Sequence, residues 1–141
     1  MPKKTHLEAV ADFHLKFGVP INKRPRELEP ADLIFRVAFM HEELNEFMTA
    51  YLQGDLVKQA DALIDLEYVL HGTALWMGLG PIWDELHAEV HAANMRKAPA
   101  VTKEASAQNR GRGHRFDVIK PAGWVGPDLG RIIGGANVQP K

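Results

Sequence analysis

The sequence predicts an all-α fold, a bundle of about four helices followed by an irregular C-terminal tail rich in glycine and proline. Apolar residues recur at helical spacing through the first hundred residues, whereas residues 100–141 hold seven of the 12 glycines and little periodicity. A chain of 141 residues suits one compact domain. We therefore expect a helical domain over residues 1–99, which would hold any catalytic site, with residues 100–141 as a basic tail of the same domain that forms a lid or a subunit contact.

The first two helices have clear boundary signals. Thr5 followed by Glu8 has the capping-box spacing, so we expect a first helix from there to about Phe17. The connector over residues 21–30 contains two prolines. The second helix carries six apolar residues in strict 4-3-4-3-4 spacing, which we call the apolar stripe. The stripe consists of Leu33, Val37, Met40, Leu44, Phe47 and Tyr51.

Two further helices complete the predicted bundle. Asp55 suits the N-cap of a third helix, which we expect to continue to Leu79 with an interruption at Gly72. Pro81 suits the first turn of a fourth helix, whose last turn is expected to hold Arg96 and Lys97. In the tail, RFDVIKP predicts a short strand and PDLGRII a short helical turn.

Charge and composition limit the class of protein. Residues 1–96 carry an excess of six acidic side chains, whereas the chain from Lys97 onward carries an excess of five basic ones. A basic tail suits nucleic acid, or phosphates held at the acidic part of the same or a neighbouring chain. The absence of cysteine excludes disulfides, thiolate metal sites and cysteine nucleophiles. Neither a signal peptide nor a membrane span is indicated, so a cytoplasmic protein is expected.

The most informative feature is a set of five carboxylates on the second and third helices, which we call the acidic cluster. It consists of Glu42, Glu43, Glu46, Asp61 and Asp65. Residues three or four apart share a helix face, and a short turn at Gly54 brings the two acidic sets to similar height. Five facing carboxylates repel one another unless a cation lies between them, which favours a magnesium site over a solvated helix face.

These residues carry a resemblance to a known family. HEELNEF followed by DALIDLEYVLHGTA resembles the motif pair EExxE and ExxD of the all-α nucleoside triphosphate pyrophosphatases, the superfamily of MazG-like and phosphoribosyl-ATP pyrophosphohydrolase enzymes. The resemblance extends to EVHAANMRKA and KPAGW, so it covers most of the chain. One departure is that Ala62 occupies the position of the glutamate in ExxD, and Asp61 supplies the acid one residue earlier.

The resemblance implies a MazG-like fold, a reaction and a division of roles. The reaction is hydrolysis of a (d)NTP between the α- and β-phosphates to the monophosphate and pyrophosphate, which controls a nucleotide pool. Magnesium is the implied ion, with manganese as a substitute, and Glu42 would position or deprotonate the attacking water. The implied metal ligands are Glu43, Glu46, Asp61 and Asp65. The resemblance also implies homodimers or homotetramers, and substrates that include dUTP and guanine nucleotides such as dGTP.

Six further residues are expected to bind the substrate: Asn94, Lys97, His91, Phe17, Lys120 and Trp124. The first three share a face of the fourth helix, Phe17 would join Phe13 and His14 at the base, and the last two come from the tail. Four of them have a structural alternative, namely a helix C-terminal cation for Lys97, core packing for Phe17 and a subunit contact for the two tail residues. The pair His87 and His91 does not indicate a di-iron site, because the chain has no Glu-x-x-His.

Two alternatives to a (d)NTP pyrophosphohydrolase are kept open. The first is a phosphoribosyl-ATP-type pyrophosphohydrolase, which would use the same acidic cluster. The second is a non-catalytic helical adaptor that binds nucleic acid through its basic tail, which predicts salt-sensitive DNA binding without metal dependence. The paired acidic motifs favour an enzyme, so a nucleoside triphosphate rather than nucleic acid is the expected partner.

Overall fold

The computed structural model describes residues 2–108 and 111–140, and the all-α architecture is confirmed. These residues form six α-helices and one small antiparallel sheet. The helices are α1 (His6–Phe17), α2 (Pro30–Leu52), α3 (Leu56–Trp76), α4 (Trp83–Met95), α5 (Lys103–Gln108) and α6 (Leu129–Gly135). A 3-10 turn over Gly80–Ile82 precedes α4. The sheet pairs β1 (Ala98–Pro99) with β2 (Val118–Ile119), Ala98 opposite Ile119.

The chain divides into two compact units. The first unit comprises the chain up to Trp83 together with the segment from Ala136 onward, and the second comprises Asp84–Gly135. The first therefore contains α1, α2 and α3, and the second contains most of α4, the sheet and the last two helices. No helix in the described part of the chain is long and apolar enough to cross a membrane. The division into residues 1–99 and 100–141 and the cytoplasmic location both stay predictions.

The boundaries of α1 are those that the sequence predicts. The Thr5 hydroxyl accepts a hydrogen bond from the Glu8 backbone N–H, and the Glu8 carboxylate accepts one from the Thr5 backbone N–H at 2.7 Å. This reciprocal capping box satisfies two donors that the helix cannot satisfy internally. At the other end Gly18 adopts a left-handed φ of 68° and donates to the His14 carbonyl. Local signals therefore fix both ends of this helix.

Helix α3 packs against both α1 and α2, and its course differs from the prediction. The Asp55 carboxylate caps its start by accepting from the Lys58 N–H at 3.0 Å, as predicted. The helix ends at Trp76 rather than Leu79, because the chain turns through Met77 and Gly78, the latter with a φ of 70°. Gly72 does not interrupt it.

Gly72 instead marks a close approach of two other helices. A Cβ atom added at Gly72 would lie 2.7 Å from Nε2 of His14 on α1 and 2.8 Å from Nη2 of Arg36 on α2. These separations are shorter than van der Waals contact, so a side chain at this position would displace its neighbours. The glycine is present for tertiary packing, which local propensity cannot reveal.

Helix α2 buries a polar face. Its buried residues are Arg36, Glu43 and Ala50, which are spaced seven apart and so share one side of the helix. The apolar stripe lies largely outside the packed interior: Leu33, Val37, Leu44 and Tyr51 are exposed, and Met40 and Phe47 are half-buried. The buried face of α2 therefore contains two charged side chains, Arg36 and Glu43. Most of the apolar stripe on the same helix remains exposed.

In the second unit the tail is ordered around one carboxylate. The buried Asp117 accepts hydrogen bonds from the Ser106 hydroxyl at 2.8 Å and from the backbone N–H groups of Arg112 and Val118 at 2.7 and 2.8 Å. These bonds, first those from the backbone, hold the pKa of Asp117 well below its ordinary value. The carboxylate thereby ties α5 to the start of β2.

The predictions for the tail are confirmed in part. RFDVIKP contains β2, and PDLGRII overlaps α6. Helix α5 was not predicted, because its six residues are too few to show a period. Helix α4 ends at Met95, so Arg96 and Lys97 lie just beyond the helix rather than in its last turn.

Candidate active site

Glu43 is the centre of the acidic cluster. It lies on the buried face of α2, and its carboxylate oxygen Oε2 is buried without a hydrogen-bond partner in the described part of the chain. Burial raises the pKa of Glu43 above its ordinary value, and repulsion from four neighbouring carboxylates raises it further. In order of effect these are Glu46, Asp65, Glu42 and Asp61. The fold thus brings all five predicted acids close enough to interact, while their individual roles stay predictions.

The donor set of this cluster fits a hard divalent cation. Carboxylate oxygens are the ligands that magnesium and manganese prefer, and an orphaned buried oxygen is a group that a cation would satisfy. In the arrangement seen over residues 2–108 and 111–140, however, no three His, Cys, Asp or Glu side chains are disposed to hold a metal ion. Glu42, Glu46, Asp61 and Asp65 are all exposed, so their side chains have room to turn toward Glu43. The cluster therefore matches a divalent cation in the type of its ligands and in their closeness to one another, while the side chains are not arranged around a common point.

The replacement of ExxD by a wider spacing has a structural basis. Ala62, at the position where the family motif has glutamate, is buried in the core and only 2% exposed. Asp61 and Asp65, four residues apart on α3, both act on the charge of Glu43. One turn of helix separates the two aspartates, so both belong to the face that approaches α2. The i,i+4 pair supplies two carboxylates without placing an acid in the core.

Two of the clefts formed by the described residues of the first unit border the acidic cluster and are considered in turn. The larger, which we call the polar cleft, has a volume of about 800 Å³. Its lining includes His41, Glu42, Asn45, Glu46, Lys58 and Asp61. The smaller, which we call the aromatic cleft, has a volume of about 400 Å³. Its lining includes Phe13, His14, Arg36, Phe39, Glu43, Asp65 and Tyr68. Both volumes lie within the range of ligand sites in proteins, roughly 300–1,000 Å³, and the acidic cluster is shared between them.

Arg36 is the buried cation of the aromatic cleft. Its Nη2 donates to the Val69 carbonyl at 2.6 Å, and its Nε donates to the Thr73 hydroxyl at 3.0 Å. Its guanidinium also lies within 6 Å of the ring centroids of Phe39 and Trp76. A guanidinium has five N–H donors, so Arg36 retains donors for a ligand after these two bonds are made.

His14 supplies the second polar group of this cleft. Its Nδ1 lies 3.0 Å from the Pro20 carbonyl oxygen, which can only accept, so Nδ1 carries the proton. Burial lowers the pKa of His14, and the Arg36 charge lowers it further, against the opposing effect of the Pro20 carbonyl. A neutral ring protonated at Nδ1 leaves Nε2 as an acceptor. Arg36 and His14 therefore offer a donor and an acceptor within one aromatic cleft.

The predicted base-binding residues meet this cleft only in part. Phe13 and His14 line it, and Phe13 packs edge-on against Tyr68 with centroids 5.5 Å apart. Phe17 does not line this cleft. Its ring is largely exposed, and its centroid lies 4.6 Å from that of Phe13. Sequence reasoning missed Arg36, Phe39, Tyr68 and Lys58. A signal for Arg36 was present, because it precedes Glu43 by seven residues and so shares its helix face.

The other predicted substrate residues belong to the second unit, where Trp124 gathers two of them. Lys97 places its Nζ 5.5 Å from the Trp124 ring centroid, and Lys120 places its Nζ 4.8 Å from it. We call these three residues the lysine–tryptophan cluster. His91 and Asn94 are exposed on α4. Substrate binding by any of these residues stays a prediction.

Comparison with known proteins agrees with the geometry. The model of the phosphoribosyl-ATP pyrophosphohydrolase family matches residues 10–94, more than half of the chain. The matched range contains the whole acidic cluster and every residue named above in the two clefts. Among curated proteins, none matches at a significant level. The chain therefore belongs to the phosphoribosyl-ATP pyrophosphohydrolase family of the MazG-like all-α nucleoside triphosphate pyrophosphatase superfamily, and it is a pyrophosphohydrolase, a hydrolase acting on phosphoanhydrides.

Proposed function

We propose that the chain is a metal-dependent (d)NTP pyrophosphohydrolase that cleaves between the α- and β-phosphates and thereby controls a nucleotide pool. The products are the nucleoside monophosphate and pyrophosphate, and dUTP and a guanine nucleotide such as dGTP are the first substrates to consider. The observation that carries the proposal is Glu43, a buried carboxylate that has four carboxylates around it and one oxygen without a hydrogen-bond partner among the described residues. Such an arrangement is costly for the fold without a cation, so it indicates a function.

In this proposal Glu43, Glu46, Asp61 and Asp65 bind magnesium, for which manganese can substitute. A bound divalent ion supplies charge neutralisation for the polyphosphate and makes water more acidic. Glu42 is left for proton transfer: its side chain is exposed and lines the polar cleft, where it would accept the proton of the attacking water. In this division of roles Glu43, around which the other carboxylates lie, is a metal ligand, and the adjacent Glu42 is the general base.

The two clefts suit the two parts of a nucleotide. The polar cleft contains Lys58 and Asn45, which would pair with phosphate oxygens. The aromatic cleft provides flat walls in Phe13, Phe39 and Tyr68, against which a base would stack. The acidic cluster borders both clefts, so the scissile phosphoanhydride would lie where the carboxylates are.

A phosphoribosyl-ATP-type pyrophosphohydrolase is supported equally by the family match. It would use the same acidic cluster and release the same pyrophosphate, so the cluster does not discriminate between the two substrates. The adaptor reading has less support, because the family is one of pyrophosphohydrolases. In this proposal the residues of the aromatic cleft contribute to the base and sugar specificity.

We also propose that the chain forms a homo-oligomer through the apolar stripe. Leu33, Leu44 and Tyr51 are each about half or more exposed, at 50%, 48% and 64%. A surface of this length and apolarity on one helix is typical of a subunit interface. Light scattering after size-exclusion chromatography should give a dimer or tetramer, and a monomer at micromolar concentration would contradict this.

The experiment that tests the activity is pyrophosphate release from a panel of nucleotides. The panel contains the common dNTPs and NTPs, dUTP and phosphoribosyl-ATP, each with magnesium, with manganese and with a chelator. Asp65→Asn should abolish release with the helical circular dichroism unchanged, and Glu42→Gln should lose turnover but keep metal binding. Asp84→Asn is the matched control, because Asp84 is an exposed carboxylate outside both clefts.

The outcomes separate the candidates. Metal-dependent release concentrated on one (d)NTP supports the proposal and names the base. Release from phosphoribosyl-ATP alone establishes the alternative. Absence of release from every nucleotide, together with absence of metal binding, would show that the acidic cluster is not a catalytic site.

A further inference from the structure

Two histidines and a glutamate meet between α1 and α3, in the first unit. Glu67 and His71 lie four residues apart on α3 and so share a helix face, and His6 is the first residue of α1. Oε1 of Glu67 lies 2.8 Å from Nδ1 of His6 and 3.9 Å from Nδ1 of His71. We call these three residues the histidine–glutamate cluster. It is separate from the five carboxylates of the acidic cluster.

The three side chains line a small cavity of about 190 Å³ with otherwise mostly apolar walls. The rest of the lining is Ala9, Val10, Ile64 and Tyr68. His71 is buried, Glu67 is half-buried and His6 is exposed. A small ion could therefore reach the buried ring from the side of His6.

His71 presents a buried nitrogen that lacks a hydrogen bond. The residue is 9% exposed, and its Nδ1 has no hydrogen-bond partner among the described residues. Its ring packs edge-on against Trp83 with centroids 5.9 Å apart. Burial lowers the pKa of His71; Glu67 opposes this shift and His6 adds to it. These effects favour the neutral ring, which is the form that binds a metal, and an unsatisfied buried nitrogen is a group that a ligand would satisfy.

We propose that the histidine–glutamate cluster binds a divalent transition-metal cation of the zinc type, with His6, Glu67 and His71 as its ligands. Two imidazoles and one carboxylate form a ligand set that suits zinc, whereas magnesium prefers oxygen ligands alone. The site differs from the acidic cluster in place and in ligand chemistry. It does not rest on the proposed function.

The distances show how far the side chains must move. As they stand in the described structure, the three are not arranged around one point. Ligand atoms about 2.0 Å from a tetrahedral zinc ion lie about 3.3 Å from one another. The observed separations of 2.8 and 3.9 Å fall on either side of that value, so each must change by roughly 0.5 Å. His6 and Glu67 are accessible enough to make this shift while the packed ring of His71 stays in place.

A cation at this point would join the start of α1 to the middle of α3. Helix α1 carries Phe13 and His14, and α3 carries Asp65 and Tyr68, all of which line the aromatic cleft. A metal that binds the folded chain and not the unfolded one stabilises the folded state. The site would thus strengthen the helix packing on which the aromatic cleft depends.

Calorimetry with zinc in excess magnesium, on protein without a histidine tag, tests the site. Magnesium occupies sites made of oxygen ligands and competes poorly for imidazole. His71→Leu, His6→Gln and Glu67→Gln should each weaken the tightest zinc binding by at least about tenfold. His87→Gln is the matched control, because it breaks the other histidine pair at i,i+4 spacing, His87 and His91 on the exposed surface of α4. It should leave the affinity within about twofold of that of the unaltered protein.

Thermal denaturation separates metal binding from packing. Zinc at about one hundred times its Kd should raise the Tm of the unaltered protein by about 8 °C, and it should raise the Tm of His71→Leu far less. Without metal, His71→Leu should melt at the same temperature or higher, because the change removes an unsatisfied buried nitrogen. If His71→Leu fails to fold, His6→Gln decides the question, since His6 is exposed.

Each outcome decides for or against the site. Zinc binding that is weakened by all three ligand variants and kept by His87→Gln establishes it, whether or not the protein hydrolyses a nucleotide. Absence of zinc binding, or an affinity indifferent to His6 and His71, refutes it. Zinc that excess magnesium displaces belongs to the acidic cluster, and zinc lost in His87→Gln belongs to α4; either result also refutes the proposed site.

Discussion

Substitution of Gly72 by alanine tests the packing beside the aromatic cleft. The added methyl group would lie 2.7 Å from His14 Nε2 and 2.8 Å from Arg36 Nη2, so at least one of these side chains must move. His14 is a buried ring held at Pro20, and Arg36 is held by Val69 and Thr73. Neither has the freedom of an exposed side chain.

The expected loss of stability follows from three contributions. Overpacking a well-filled site costs about 1–3 kcal/mol. Disturbing one buried hydrogen bond of the charged Arg36 costs about 1.5–3 kcal/mol. Alanine returns about 1 kcal/mol as a better helix former than glycine. The net cost is roughly 1.5–5 kcal/mol, which at about 3 °C per kcal/mol lowers Tm by about 5–15 °C.

Thermal denaturation followed by circular dichroism measures this change. Gly134→Ala is the control, because Gly134 also lies in a helix but has no atom within 4 Å of an added Cβ. It should be neutral or stabilising by up to about 1 kcal/mol. If Gly72→Ala were as stable as the unaltered protein, the described contact of Gly72 with His14 and Arg36 would be wrong. We also expect a raised KM for the variant, since both displaced residues line the aromatic cleft.

Three further predictions concern single carboxylates and the apolar stripe. Glu43→Gln should stabilise the fold in chelator and abolish turnover. Folding raises the pKa of Glu43, so the native state binds more protons than the unfolded chain. The free energy of unfolding of the unaltered protein should therefore fall as pH rises from about the ordinary value of 4.5. Urea denaturation of both proteins at several pH values would measure this, and a pH dependence unchanged by Glu43→Gln would contradict it. Asp117→Ala should loosen the tail between α5 and β2, detected by faster amide exchange there, because a hydroxyl and two backbone N–H groups lose their acceptor. Leu44→Lys should shift the oligomer toward monomer in light scattering, and Leu15→Lys, an equally apolar exposed position on α1, should leave it unchanged.

Much of the backbone was predictable because its signals are local. The capping box at Thr5, the N-cap at Asp55 and the left-handed Gly18 act within a few residues, and each predicted boundary was found. The end of α3 was predicted three residues late because Met77 and Gly78 turn under tertiary contacts. A Cβ added at Gly78 would lie 1.9 Å from the Arg24 carbonyl oxygen, a backbone contact that no local pattern reveals.

The carboxylates of the site could be predicted from the sequence, whereas the residues that line the aromatic cleft could be predicted only in part. Acids three and four apart share a face by helix geometry, and a short turn at Gly54 makes the two helices neighbours, so the convergence on Glu43 follows from spacing and loop length. The aromatic cleft depends on how three helices meet, and Phe39 and Tyr68 enter it from different helices. The hydrophobic pattern also indicates the wrong buried face of α2. It favours burial of the apolar stripe, whereas the structure buries the face that carries Arg36 and Glu43.

The polar interior of α2 sets a limit on how this protein can be stabilised. A design procedure that rewards burial would replace Arg36 and Glu43 with leucine or methionine, since buried charges often contribute less than well-packed apolar groups. Such a variant should melt at a higher temperature and, under the proposed function, lose hydrolytic activity. Under the proposed function, selection for activity would hold the stability of the first unit below what its own backbone allows.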